Sequence, residues 1–135
     1  MARKTECYAD TSAWIALLDR SDSYHNVFRL LFADPPRLAT SALTALEGHA
    51  WFLRRYDATR AIQFLRFLDA LPDLVIVPFD AAALAKTGIL VRKYQDQRLT
   101  LADAHGLSIM RERRHSVCWS TDRHLALTGA RLAID

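Results

Sequence analysis

Short apolar runs alternate with longer segments of helical periodicity along almost the whole chain. The short runs predict five strands, at residues 6–10, 37–41, 74–77, 116–120 and 131–134. The segments between them predict helices, at residues 11–19, 22–33, 41–56, 58–70, 78–94, 100–114 and 122–128, with a polar loop at 95–99. Alternating strands and helices favour an α/β fold with a mostly parallel central sheet of about five strands, flanked by helices.

Composition fits one soluble globular domain over residues 1–135, because 51% of the residues are hydrophobic and 24% are charged. No apolar run approaches the length of a membrane-spanning helix, and charges follow the N-terminus too soon for a signal peptide. The two cysteines, Cys7 and Cys118, lie in strand-like runs without metal-site spacing. We therefore expect reduced, buried thiols in a cytoplasmic protein that has no membrane partner.

One acid closes a predicted strand, another follows a predicted strand after one residue, and two more lie early in predicted helices. Asp10 and Asp122 are the strand-end acids, and ligand sites of open α/β sheets form beyond the carboxyl ends of strands. Each also suits the N-cap of the next helix, which is an equally simple explanation. Asp103 has the same ambiguity, because Thr100 and Asp103 have the spacing of a capping box.

Glu47 is harder to explain by capping. The helical projection places it within an apolar arc that is expected to be buried, and an ionised carboxylate there needs a partner or a function. The arc comprises Leu43, Leu46, Ala50, Trp51 and Leu53, with Phe52 on the opposite side. A capping box from Thr44 to Glu47 is the alternative, and it requires the helix to begin at Thr44.

A parallel sheet can bring these four acids to one edge, where their charges would repel without a cation. Oxygen ligands suit Mg²⁺ or Mn²⁺, and such ions activate water for phosphodiester hydrolysis. Asp96, in the polar loop, is a possible fifth acid, although a solvated loop charge explains it equally well. The histidines show no metal-ligand spacing to one another, so we expect surface or packing roles for them.

Four segments carry a family resemblance: residues 8–13 (YADTSA), 40–47 (TSALTALE), 99–104 (LTLADA) and 120–124 (STDRH). In order and spacing they resemble the motifs of PIN-domain nucleases, most closely the VapC-type toxins of bacterial toxin–antitoxin pairs. The resemblance covers nearly the whole chain. Leu125 departs from the pattern, since many relatives have an aromatic residue there, and we expect this difference to affect packing only.

The resemblance implies that Asp10, Glu47, Asp103 and Asp122 are catalytic, metal-binding acids. It also implies that a hydroxyl from Thr11, Ser12 or Thr121 supports the site. Endonucleolytic cleavage of single-stranded or structured RNA, homodimerisation and inhibition by a small antitoxin that occludes the site are further implications.

Basic and aromatic side chains provide candidate RNA contacts. The chain has 15 Arg and 3 Lys and a net charge of +3, which permits a polyanionic partner. The cations expected nearest the acids, and therefore the candidates for phosphate contacts, are Arg92, Lys93, Arg98 and Arg123. A second basic run, residues 111–115, suits the C-terminus of a helix. Trp51, Tyr94 and Trp119 could stack on bases, although core packing explains each of them.

Three other functions remain open from the sequence. The chain could be a PIN ribonuclease of RNA processing rather than a toxin, or a binding module without activity. A phosphatase or phosphoacceptor domain also uses strand-end acids. However, such a phosphatase needs a second acid two residues after Asp10, where this chain has Ser12.

Overall fold

Five parallel strands form a single sheet in the computed structural model, which describes residues 5–135. The strands are β1 (Cys7–Ala9), β2 (Leu38–Ser41), β3 (Val75–Val77), β4 (Val117–Trp119) and β5 (Arg131–Leu132). Their spatial order is β3-β2-β1-β4-β5, and every neighbouring pair is parallel. The predicted five-stranded α/β architecture is therefore confirmed.

Six α-helices flank the sheet. They are α1 (Thr11–Leu18), α2 (His25–Leu31), α3 (Ala42–Arg55), α4 (Ala58–Ala70), α5 (Ala81–Lys93) and α6 (Leu101–Arg113). The predicted segment 122–128 contains only a 3₁₀ turn, Arg123–Ala126, and a second 3₁₀ turn, Gln95–Gln97, lies in the predicted loop. None of the described helices is long and apolar enough to cross a membrane.

Two apolar cores lie on opposite faces of the sheet. Successive side chains of a strand point to opposite faces, so Cys7 and Ala9 of β1 join one core while Tyr8 joins the other. The first core also includes an aromatic cluster around Trp14 and Phe28. Both cysteines are buried free thiols, as expected.

The strand β3 differs from its prediction as a buried strand. It lies at the edge of the sheet and pairs only with β2, and Ile76 is 46% exposed. Its short apolar run resembled that of a central strand because periodicity alone cannot separate an edge from an interior position.

The central pair β1 and β4 sets the position of the strand-end acids. Ala9 is in register with Trp119, and the N–H of Asp10 donates to the carbonyl of Trp119 at 3.1 Å. The residues that follow the two strands, Asp10 and Ser120, therefore leave the sheet side by side at its carboxyl edge.

Candidate active site

All four predicted acids line one cavity of about 280 Å³ at the carboxyl edge of the sheet. Asp10 and Asp122 come from the ends of β1 and β4, Glu47 from α3, and Asp103 from the first turn of α6. The remaining lining residues are Thr11, Ser12, Ile15, Thr44, Thr100, Ala102 and Leu125. No Lys or Arg is among these lining residues, so no basic side chain there balances the carboxylates.

Asp10 is held by two hydroxyls, one from each side. Its Oδ1 accepts hydrogen bonds from the N–H of Ser12 at 3.0 Å and from the Ser12 hydroxyl at 2.5 Å. Its Oδ2 accepts a bond from the hydroxyl of Ser120 at 3.0 Å. Asp10 is also the N-cap of α1, so the capping alternative is real and coexists with its place in the cavity.

The same two hydroxyls connect the loops after β1 and β4. The Ser12 Oγ accepts the N–H of Thr121 at 2.9 Å, and the Ser120 Oγ accepts the N–H of Asp122 at 2.9 Å. Ser120 is fully buried, and the sequence analysis did not single it out. The sequence feature that could have identified Ser120 is its position directly after β4, the strand that pairs with β1 and so brings Ser120 next to Asp10.

Burial and, to a smaller extent, the nearby Asp122 together raise the pKa of the Asp10 carboxyl to about 7, although the hydrogen bonds from Ser12 and Ser120 oppose the shift. Desolvation of the Glu47 carboxyl also raises its pKa, although the side chain as a whole is exposed. Asp103 raises this pKa by a smaller amount, and a hydrogen bond from the Thr11 hydroxyl at 3.0 Å lowers it. The protein therefore resists holding all four groups ionised by itself.

Asp103 and Asp122 also cap helices. Thr100 and Asp103 form a complete capping box, and the Asp122 Oδ1 accepts the N–H of His124 at 2.9 Å at the start of the 3₁₀ turn. These carboxylates nevertheless line the acid cavity. Capping fixes where each carboxylate lies and does not compete with that placement.

Comparison with known families agrees with this arrangement. The profile of the PIN domain matches residues 7–130, which is most of the chain. The protein belongs to the PIN-domain family. This membership removes the phosphatase and phosphoacceptor alternatives.

Solved structures show the same fold at low sequence identity. VapC20 of Mycobacterium tuberculosis, described as a sarcin-ricin loop cleaving toxin, matches with a TM-score of 0.82 and 19% identity over 92% of this chain and 95% of its own. A chain of a toxin–antitoxin complex from Klebsiella pneumoniae matches with a TM-score of 0.62 and 19% identity over 93% and 94%.

A third structure is VapBC2 of Rickettsia felis bound to a DNA fragment from its promoter. One of its chains matches with a TM-score of 0.61 and 15% identity over 95% of this chain and 97% of its own. No curated protein matches the sequence closely enough to count as a relative. At these identities the solved structures establish the fold of this PIN domain.

The expected burial of Glu47 in an apolar arc is wrong. The buried face of α3 is the line Thr44, Gly48 and Phe52, while Glu47 itself is exposed and Leu46 is 69% exposed. The proposed capping box at Thr44 is also absent, because Ser41 caps the helix. Glu47 thus lines the PIN-domain cavity from the rim of α3, with the Thr11 hydroxyl fixing one carboxylate oxygen.

His124 lies beside the acid cluster and was not among the residues predicted for the site. Its Nδ1 lies 3.1 Å from the Asp122 Oδ1 and 3.8 Å from the Asp103 Oδ2. The packing role expected for histidines holds for His105 and His115, which are buried. His124 lies in the 3₁₀ turn that Asp122 caps, which places it next to this acid.

The predicted RNA-binding cations lie outside the acid cavity. Arg92, Lys93 and Arg98 are exposed, and Lys93 lines a separate cavity of about 320 Å³ together with Arg111. Arg123 is exposed but forms an ion pair with Asp135 at 2.6 Å.

The other residues that the sequence suggested for the site or for RNA stacking differ in their burial. Asp96 is exposed in the loop and does not line the acid cavity, which fits a solvated loop charge. Trp119 is 3% exposed and belongs to the core, whereas Trp51 and Tyr94 are half-buried. Leu125 is 1% exposed, packs in the second core and also lines the acid cavity.

Proposed function

We propose that this protein is a metal-dependent endoribonuclease that acts in the cytoplasm as the toxin of a toxin–antitoxin pair. One observation carries the proposal: four carboxylates line a single cavity at the carboxyl edge of a PIN-domain sheet, with no Lys or Arg among the lining residues. Three acids are held by caps or hydroxyls, and Glu47 by a hydroxyl, so the set is arranged before any ligand binds.

The donor set fits a hard divalent ion. Ligand atoms of Asp103 and Asp122 lie within 4.8 Å of each other, a separation at which two negative charges repel by about 3 kcal/mol at an effective dielectric constant of about 20. Carboxylate oxygens at an open cavity suit Mg²⁺ or Mn²⁺ held by Asp10, Glu47, Asp103 and Asp122. The ion would supply activated water and charge neutralisation for cleavage of an RNA phosphodiester.

The side chains around the acids act by orientation. Ser12 and Ser120 fix both oxygens of Asp10, and Thr11 fixes one oxygen of Glu47. Thr121 contributes its backbone N–H to Ser12. We assign these residues to positioning the acids, because hydrogen bonds that orient metal-binding carboxylates influence the affinity of the site for its metal ion.

RNA is the substrate class that we infer. The exposed cations suited to backbone phosphates are Arg92, Lys93 and Arg98. Arg123 is paired with Asp135, and this ion pair must break before Arg123 can bind an RNA phosphate. The similarity to VapC20, whose description names cleavage of the sarcin-ricin loop, supports structured RNA with accessible bases as the substrate.

An antitoxin is the proposed protein partner, as in the similar toxin–antitoxin complexes. Exposed apolar side chains of α3 provide a surface for it. Leu46, Ala50 and Trp51 line a cavity of about 320 Å³ that shares Thr11 and Glu47 with the acid cavity. An antitoxin segment bound there would lie beside the acids. Leu46→Asp should weaken binding of the antitoxin, whereas Leu30→Asp on the exposed face of α2 should not.

We also propose a homodimer, which sedimentation of the purified chain tests directly. A sedimentation coefficient that stays at the monomer value up to high micromolar concentration would contradict the dimer. It would leave the assignment of the acids unaffected.

RNA cleavage by the purified chain in Mg²⁺ or Mn²⁺ tests the nuclease. Asp10→Asn and Glu47→Gln should reduce cleavage at least 100-fold, while Glu112→Gln, which removes only an exposed ion pair with Lys86, should not. Equal cleavage by all variants would refute the assignment of the acids.

Induction of the chain in bacterial cells separates a toxin from an RNA-processing enzyme. Growth arrest that requires Asp10 and is relieved by a co-expressed antitoxin supports the toxin. Normal growth together with RNA cleavage in vitro would favour the processing enzyme.

A further inference from the structure

The imidazole of His124 lies against the acid cluster with a ring nitrogen facing two carboxylates. Its Nδ1 is 3.1 Å from the Asp122 Oδ1 and 3.8 Å from the Asp103 Oδ2, and one ligand atom of each residue lies within 4.8 Å of the other two. All three side chains are half-buried, so the group is open to an ion from solvent.

These separations match ligands of one ion. When metal–ligand bonds are about 2.0–2.2 Å long, adjacent ligand atoms lie about 3 Å apart and opposite ones about 4 Å apart. The two distances from Nδ1 fall in that interval. The ligand atoms of Asp103 and Asp122 lie within 4.8 Å of each other.

Three of the other four histidines bond to atoms outside the acid set. The Nδ1 of His25 contacts the carbonyl of Ala16 at 2.9 Å, that of His105 contacts the Ser41 hydroxyl at 2.5 Å, and the Nε2 of His115 contacts Glu6 at 2.6 Å. Among residues 5–135, only His124 groups with two or more acids at distances that suit a metal ion.

We propose that His124 Nδ1 is a ligand of the metal ion together with Asp103 and Asp122, and that this nitrogen makes the site prefer a first-row transition ion such as Mn²⁺ over Mg²⁺. This inference rests on the proposed metal site and adds the identity of one ligand. The chemical reason is that Mg²⁺ strongly prefers oxygen, whereas imidazole nitrogen binds transition ions well.

The backbone around His124 suits this role. The N–H of His124 donates to the same Asp122 oxygen that faces its ring, at 2.9 Å. Leu125, the next residue, is 1% exposed and anchors the turn in the second core. The ring is therefore presented by a turn that is fixed on both sides.

Pulsed electron paramagnetic resonance of the Mn²⁺-loaded chain tests the ligand directly. The parent protein should show the modulation of a coordinated imidazole nitrogen, and His124→Ala should lose it. His49→Ala is the matched control and should retain the signal, because His49 lies on α3 outside the acid cavity. A parent spectrum without nitrogen coupling, or coupling that persists in His124→Ala, would overturn the proposal.

Calorimetric titration independently measures the preference of the site for Mn²⁺ over Mg²⁺. We expect His124→Ala to weaken Mn²⁺ binding about tenfold or more, and Mg²⁺ binding less than threefold. His124→Gln retains a polar side chain and serves as a second variant in case His124→Ala folds poorly. It should show the same loss of Mn²⁺ affinity. Equal losses for both ions would contradict the preference.

The outcome also separates this inference from the proposed function. Mn²⁺ bound without nitrogen coupling would leave the four-acid site intact and remove only His124. A parent chain that binds no Mn²⁺ would contradict both.

Discussion

The hydroxyl of Ser120 donates to the Oδ2 of Asp10 at 3.0 Å and joins the ends of the two central strands, β4 and β1. The Ser12 hydroxyl binds the other carboxylate oxygen. Each hydroxyl donates its proton to Asp10 and accepts one backbone N–H from the loop after β4. Asp10 is thereby fixed in direction by both loops of the site.

Loss of the Ser120 hydroxyl should weaken the metal site more than the fold. We expect Ser120→Ala to lower metal affinity about 10- to 100-fold, as removal of an orienting hydrogen bond does elsewhere. The unfolding free energy should fall by about 1 kcal/mol. Calorimetry and urea unfolding measure the two effects, with the exposed Ser116→Ala as the control. Unchanged affinity would show that Ser120 does not orient Asp10.

The raised pKa of Asp10 predicts a stability that depends on pH in metal-free protein. Because the folded pKa is about 7 and the ordinary value is 3.8, its contribution is fully present below about pH 4 and is lost as pH rises through 7. Asp10→Asn removes this loss. With metal removed by a chelator, the stability of the variant relative to the parent should rise by about 2.5 kcal/mol between pH 5 and pH 8.

Urea unfolding at the two pH values measures this difference. Added Mn²⁺ should reverse the order at pH 8, because only the parent offers an ionised Asp10 to the ion. A difference between variant and parent that is the same at both pH values would contradict the shifted pKa.

Glu6 predicts the opposite pH dependence on the acid side. Hydrogen bonds from Arg113 at 2.6 and 2.9 Å, and then from His115, lower the pKa of Glu6 to about 2. Its contribution is present above its ordinary pKa of 4.5 and is lost as pH falls from there towards 2.

Glu6→Gln should therefore lower the unfolding free energy by about 1–2 kcal/mol at pH 7 after allowance for solvent screening, and by about half as much or less at pH 3. Unfolding at both pH values measures it. Glu112→Gln, in an exposed pair, is the control and should cost less than about 0.5 kcal/mol. A loss that is as large at pH 3 as at pH 7 would assign Glu6 a packing role instead.

Gly48 allows α3 to approach α4. A Cβ at this position would overlap the ring of Phe64, which is itself fully buried. Gly48→Ala should cost about 1–3 kcal/mol through overpacking. Gly88→Ala is the matched control: its Cβ would meet only the flexible side chain of Arg92, at 3.2 Å, so the change should be neutral or stabilising. Thermal unfolding compares them, and equal effects would contradict close packing of the two helices.

The strand-end acids were predictable because their placement is local. Asp10 follows β1 directly and Asp122 follows β4 after two residues, and each carboxylate caps the helical element that comes next, so nearby residues alone fix its place. The parallel order of β1 and β4 then brings the two together. The capping box at Thr100 likewise fixes Asp103 from nearby residues alone.

The surroundings of Glu47 were not predictable in the same way. The buried side of α3 carries Thr44 and Gly48, because α4 supplies the bulk through Phe64. The apolar periodicity of the sequence therefore predicts burial for the side of α3 that carries Leu46, although this side is exposed. His124 was missed because its contact with Asp103 joins a turn to a helix that precedes it by about twenty residues.

The most direct test of the central claim is the rate of RNA cleavage after metal removal and metal return, measured on the parent and on Asp103→Asn. Asparagine keeps an oxygen that accepts the Thr100 N–H, so the capping box can persist while one negative charge is lost. We predict no cleavage by the parent in chelator, full recovery with Mn²⁺, and at least 100-fold slower cleavage by a folded Asp103→Asn. Cleavage that continues in chelator, or an Asp103→Asn chain as active as the parent, would contradict a metal-dependent nuclease built on these four acids.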